Sequence, residues 1–195
     1  MQSNMKHKAF SIELRVLVLV LLITSESCSA FKPSFKGEVI DPAAAAPEIN
    51  LTDHNGGPFR LSEMRGKMVL VFFGFTNCVD ECPLTAAHLK LTLEMLGEGA
   101  RDIQVVLVST DPVRDTPQAL QDFLGKFNPT FLGLTGTMDE LTQVWDDYGI
   151  MVLDGGETHS SFTYVIDNGG NLRLKIDADA APEDIASDLK VLLAE

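Results

Sequence analysis

Two thiols stand four residues apart in Cys78-Val79-Asp80-Glu81-Cys82-Pro83. Thiolates are soft donors that suit copper(I), and imidazole nitrogen also suits copper. His159 offers that nitrogen downstream. Cys78, Cys82 and His159 therefore form a donor set fit for copper as Cu(I) or, with added oxygen donors, as Cu(II). Zinc fits less well, because a structural zinc site takes four ligands and only three good ones are visible. The CxxxC spacing also differs from the CxxC of dithiol oxidoreductases.

An oxidising compartment would let Cys78 and Cys82 close as a disulfide. Such a bridge is a weak staple, because cross-link stabilisation grows with loop length and this loop is short. A metal or redox role outweighs a structural one. Cys82 precedes Pro83, and a residue before proline avoids helical geometry. It is expected at the helix N-cap or just outside it. Backbone N–H groups and the helix dipole would there favour its thiolate.

The elements that must hold these groups read as follows. Residues 68–73 are a continuous apolar run and residues 103–108 are apolar except at Gln104, as in parallel strands covered on both faces. The first run leads directly into the cysteine loop. A helix opens at Pro83, with an apolar stripe that includes Leu84, Ala87, Leu91 and Met95. Thr116-Pro117 starts a second helix to about residue 127, as N-cap and first helical residue. Thr137-Met138-Asp139-Glu140 is a capping box for a third. Residues 162–166 and 172–176 flank Asp167-Asn168-Gly169-Gly170, an antiparallel hairpin signal. Residues 49–52 and 58–61 form an earlier hairpin around Asn55-Gly56-Gly57. Residues 182–193 are a closing amphipathic helix. Alternating βαβ followed by a hairpin and a terminal helix predicts an α/β thioredoxin-like fold: a central mixed sheet flanked by helices, with an N-terminal β-hairpin. His159 stands just before the 162–166 strand, near the place where such folds usually carry a cis-proline. No proline lies between Pro129 and Pro182.

The whole chain has 195 residues and a formal net charge of −13. That surface repels nucleic acid and anionic membranes, and it suits a cationic partner or a metal cation. Residues 1–30 read as an export signal. Lys6 and Lys8 precede an eight-residue apolar run, with small residues after it, and eight residues are too few to cross a bilayer as a helix. Ser25-Glu26-Ser27-Cys28 weakly resembles a lipobox, so Cys28 is a candidate lipid anchor. Residues 31–47 are rich in proline and alanine and are expected to be a tether, with the folded domain over 48–195.

Four segments carry a resemblance to a known family. They are residues 66–83 with both cysteines, then Ser109-Thr110-Asp111-Pro112-Val113-Arg114-Asp115-Thr116-Pro117, then Gly133-Leu134-Thr135-Gly136, then His159-Ser160-Ser161-Phe162-Thr163-Tyr164-Val165-Ile166-Asp167. Together they resemble the SCO/SenC family of copper chaperones for cytochrome c oxidase assembly. The resemblance implies an exported, membrane-tethered thioredoxin-like domain at the periplasmic face of the cytoplasmic membrane. It implies copper on Cys78, Cys82 and His159. The implied partner is the copper-site subunit of a cytochrome c oxidase, with another copper donor or a thiol reductase as further partners. Val79 replaces the proline common after the first cysteine, and the segment before His159 is short. The alternative reading is a thiol–disulfide oxidoreductase or redox-signalling protein acting on copper-site cysteines. Asp80 is expected to orient the cysteine loop. His54 and His88 read as structural.

Overall fold

Residues 68–74 contain no polar side chain, so this segment has no face to offer water and must lie between two covering layers. The computed structural model, which describes residues 34–156 and 158–195, places it so. The elements are β1 (Glu38–Ala45), β2 (Asn50–Asp53), β3 (Pro58–Arg60), β4 (Met68–Gly74), α1 (Glu81–Leu96), β5 (Ile103–Ser109), α2 (Pro117–Leu124), β6 (Leu132–Thr135), α3 (Met138–Asp147), β7 (Val152–Leu153), β8 (Thr158–His159), β9 (Phe162–Ile166), β10 (Asn171–Asp177) and α4 (Pro182–Leu193). Among the described residues, eight strands form one mixed sheet in the order β1-β10-β9-β4-β5-β6-β2-β3. This is the thioredoxin-like arrangement, and the expected early hairpin is present as β2 and β3.

Strand β4 alternates its side chains between two cores. Leu70 and Phe72 pack with Leu89 of α1, Leu120 of α2 and Leu189 of α4. Val71 and Phe73 pack with Leu141, Val144 and Trp145 of α3 on the other face. Each large apolar side chain so buried contributes about 1.5–3 kcal/mol. The central strands are thus held from both sides, and their ends are fixed points.

Strands β4, β5 and β6 run parallel. The loops after β4 and β5 therefore leave from one edge. Strand β9 runs antiparallel to β4, with Thr163 opposite Phe72, so its start lies at that same edge. The topology thus brings the cysteine loop, residues 109–116 and the segment before β9 together.

Three sequence expectations change. Residues 38–45, expected within the tether, form edge strand β1 against β10. The Lys36 and Gly37 N–H groups donate to the buried Asp188 carboxylate of α4 at 2.8–3.0 Å, which ties this segment down. Strand β6 was not expected at all. It is only four residues long and contains Gly133, which must stay small because a Cβ there would lie 2.7 Å from Leu120 Cβ. The small hairpin β7–β8 was also not foreseen. The export signal and Cys28 lie outside the described residues. No helix among the described residues is long and apolar enough to cross a membrane.

Candidate metal centre

The cysteine loop begins where β4 ends. Thr110 N–H donates to the Gly74 carbonyl at 2.8 Å, which continues the β4–β5 pairing by one bond. Cys78 N–H turns back to the Phe75 carbonyl at 3.3 Å. Helix α1 starts at Glu81, with Asp80 as its N-cap residue. Cys82 is thus inside the first turn rather than at the cap. Pro83 is tolerated there because first-turn N–H groups have no acceptor within the helix. Asp80 makes no side-chain capping bond and lines the cleft described below.

This placement decides what each sulfur can do. A helical side chain leans toward the N-terminus of its helix. Cys82 leans down onto the sheet and is only 2% exposed. Its Sγ occupies the space above Gly74, where a Cβ would lie 2.6 Å away. Cys78 is half-buried, and its Sγ accepts the Cys82 N–H at 3.4 Å. Both thiols are free. Burial pushes the Cys82 thiol far above its ordinary pKa. A backbone bond from Phe75 opposes that shift, and Cys78 and Glu81 add to it. The expectation of a helix-stabilised thiolate at Cys82 is therefore corrected. Burial is the largest cause and opposes the thiolate, so a bound cation would have to displace the Cys82 proton.

His159 sits on β8, opposite Val152 of β7. Its Nδ1 lies 3.1 Å from the Ser160 carbonyl oxygen, and an N–H donated there leaves Nε2 with its lone pair. Nε2 stands 4.0 Å from Cys82 Sγ. The Phe75 ring meets the imidazole edge-on at 5.9 Å, and the Arg114 guanidinium lies 6.0 Å from that ring's centre. Ser161 Oγ donates to the Glu81 carboxylate, joining the start of α1 to the strand after the histidine.

The structure brings Cys82 and His159 face to face and places Cys78 beside the Cys82 backbone. Metal–thiolate bonds of about 2.3 Å and metal–imidazole bonds of about 2.0 Å can bridge the Cys82–His159 gap. Among the described residues no three His, Cys, Asp or Glu side chains already converge on one point, and Cys78 stands outside the Cys82–His159 pair. An open cleft of about 630 Å³ gives access; Cys78, Asp80, Arg114 and His159 line it, and Val79 on its rim is 85% exposed. The other two histidines among the described residues have other work. His88 Nδ1 meets the Ala180 carbonyl at 3.0 Å, and His54 Nδ1 accepts the Gly133 N–H at 3.1 Å.

Gly74 was not singled out in the sequence. A glycine closing an apolar strand just before a cysteine loop is a signal of close approach. Gly74→Ala is expected to push Cys82 Sγ out of its seat. Overpacking of this kind costs typically 1–3 kcal/mol. Thermal unfolding checks the cost, and thiol labelling should show Cys82 newly reactive. An unchanged midpoint with Cys82 still unreactive would show that the sulfur is seated elsewhere.

A thioredoxin-like sheet with a thiol pair and an imidazole at one strand edge defines a class of soft-metal or redox domains. Within that class, the SCO1/SenC family model matches residues 38–194, and the chain belongs to this family. The SCO2-like protein of Rickettsia felis is 33% identical over 202 residues, covering 97% of this chain and 98% of the relative. Bradyrhizobium japonicum ScoI with copper bound is 31% identical, with a TM-score of 0.69 over 76% of this chain and 99% of that one. Apo Sco1 from Thermus thermophilus is 32% identical, with a TM-score of 0.74 over 84% and 99%.

Proposed function

We propose that this chain is an exported copper carrier. It holds copper on Cys78, Cys82 and His159 and delivers it to the copper-site subunit of a cytochrome c oxidase. The observation that carries this reading is the Cys82–His159 pair at 4.0 Å, with Nδ1 engaged by a backbone carbonyl and Nε2 left to bind. The copper-bound relative supports the choice of metal.

Copper is the cargo, and it accepts soft sulfur and imidazole donors. Each thiol loses its proton on binding, so affinity falls as pH is lowered. The buried seat of Cys82 keeps water from that sulfur, and the cleft leaves Cys78 and His159 within reach of a partner. The acidic surface suits a cationic donor or recipient. The signal over 1–30 would direct export and be removed, and a lipid on Cys28 would then hold the domain at the periplasmic face of the membrane.

The second reading is thiol–disulfide exchange, favoured by the contact of Cys78 Sγ with the Cys82 N–H. Exchange with a partner disulfide would form the Cys78–Cys82 S–S bond, break the partner's S–S bond, pass two electrons and two protons to the partner's two thiols, and remove two of the three donors. Metal analysis separates the two. Reduced protein purified without oxygen should hold one copper per chain, and the same protein oxidised to the disulfide should hold little. A reduced protein that takes up no copper moves the function to the second reading.

A further inference from the structure

The segment Ser109-Thr110-Asp111-Pro112-Val113-Arg114-Asp115 supplies no ligand in the proposed site, yet two of its buried polar side chains, Thr110 and Asp115, bond to the site's supports. Asp115 is 1% exposed. One carboxylate oxygen accepts the Thr76 N–H at 2.9 Å and the Thr76 hydroxyl at 2.7 Å. The other accepts the Ser109 hydroxyl at 2.5 Å. Thr76 lies two residues before Cys78, so this carboxylate fixes the stem of the cysteine loop.

Thr110 serves the opposite side. It is 1% exposed, and its hydroxyl donates to the Gly156 carbonyl at 3.1 Å. Gly156 packs so closely that a Cβ would lie 2.2 Å from the Thr110 carbonyl oxygen. His159 follows three residues later.

The segment itself is held rigid. Asp111 pairs with Arg114, and its carbonyl accepts the Arg114 and Asp115 N–H groups at 3.1 and 2.9 Å. Trp145 Nε1 donates to the Ser109 carbonyl at 3.1 Å from the core.

We infer that residues 109–115 are the positioning device of the site: Asp115 holds the thiol side, Thr110 holds the imidazole side, and one short segment sets their separation. The metal-binding consequence rests on the copper reading above. The thiol consequence does not.

The test uses the full reduced chain and four variants. Copper(I) affinity is measured against a chromophoric chelator, Cys78 reactivity by iodoacetamide labelling and peptide mapping, and the disulfide midpoint in a glutathione buffer. Groups that orient ligands cost about 10–100-fold in affinity when removed. Asp115→Ala should lose affinity on that scale, label faster at Cys78 and shift the disulfide midpoint. Asp115→Asn should stay nearer wild type, since one oxygen can still face Thr76. Thr110→Val should lose a similar amount of copper affinity while Cys78 labelling and the disulfide midpoint stay unchanged. Thr76→Val removes one bond and keeps the fold's buried carboxylate. It should show a smaller form of the Asp115→Ala change, and it carries the thiol test if Asp115→Ala does not fold. Two results overturn the inference. One is wild-type labelling and midpoint in both folded Asp115→Ala and Thr76→Val. The other is a Thr110→Val midpoint shift equal to that of the aspartate variant, which would mean general loosening. If wild type binds no copper, the copper proposal fails, while labelling and midpoint still decide the role of Asp115.

Discussion

His159→Ala should lose more than about a hundredfold in copper affinity, because losing an outer partner of a ligand already costs about 10–100-fold. The imidazole is the nitrogen of the donor set, and Phe75 and the Ser160 carbonyl hold it toward Cys82. A ligand bound only by the folded state raises stability by about 2.7 kcal/mol at a hundred times its Kd. Copper should therefore raise the unfolding temperature of wild type and leave the variant nearly unmoved. The Cys78–Cys82 disulfide should still form and be reduced in the variant, since neither sulfur has been touched. Wild-type copper affinity and an unchanged thermal shift in His159→Ala would make the histidine structural and favour thiol exchange as the function.

Gly156→Ala should be nearly as damaging to metal binding without altering any ligand. Its φ of +99° is poorly suited to a side chain, and the added Cβ would lie 2.2 Å from the oxygen and 2.8 Å from the carbon of the Thr110 carbonyl. A backbone neighbour cannot step aside as a side chain could. Strain of this kind costs about 1–3 kcal/mol. The simplest relief is for the segment carrying His159 to lift from Thr110. Copper affinity should then fall toward that of His159→Ala, with the thiol pair still redox-active. Gly155→Ala is the control. Its φ is +66°, and nothing lies within 4 Å of its Cβ position, so it pays the conformational cost without the collision. Equal copper affinity in Gly156→Ala and Gly155→Ala would remove Gly156 as a seat for the histidine segment.

How much could be read in advance depended on the range of the interactions involved. Strands β4 and β5 were legible because a strand covered on both faces is almost wholly apolar, with Gln104 the one break before Ser109, and the 137–140 capping box is local and is present with both of its bonds. The candidate ligand residues stood out by type and spacing. Strand β1 did not. Its Pro/Ala-rich residues have no alternation; β10, far along the chain, pairs with them, and Asp188 holds Lys36 and Gly37 just before the strand. The depth of Cys82 was hidden for a related reason. The rule for a residue before proline speaks of the backbone, whereas burial depends on where the helix lands on the sheet. The Asp115–Thr76 bond spans 39 residues, and no local pattern announces it.

The unequal depth of the two sulfurs gives the site a direction. Cys82 is closed off beneath the helix start, while Cys78 opens to the cleft. The cleft presents Cys78 and His159, not Cys82, to an incoming thiol or metal-binding group. In the proposed carrier, exchange would begin at the outer sulfur, and Cys82 would be the last group to let go. The pair is a mooring with one free line and one fixed post, and a partner's reactive group has to come to the outer end to take the load.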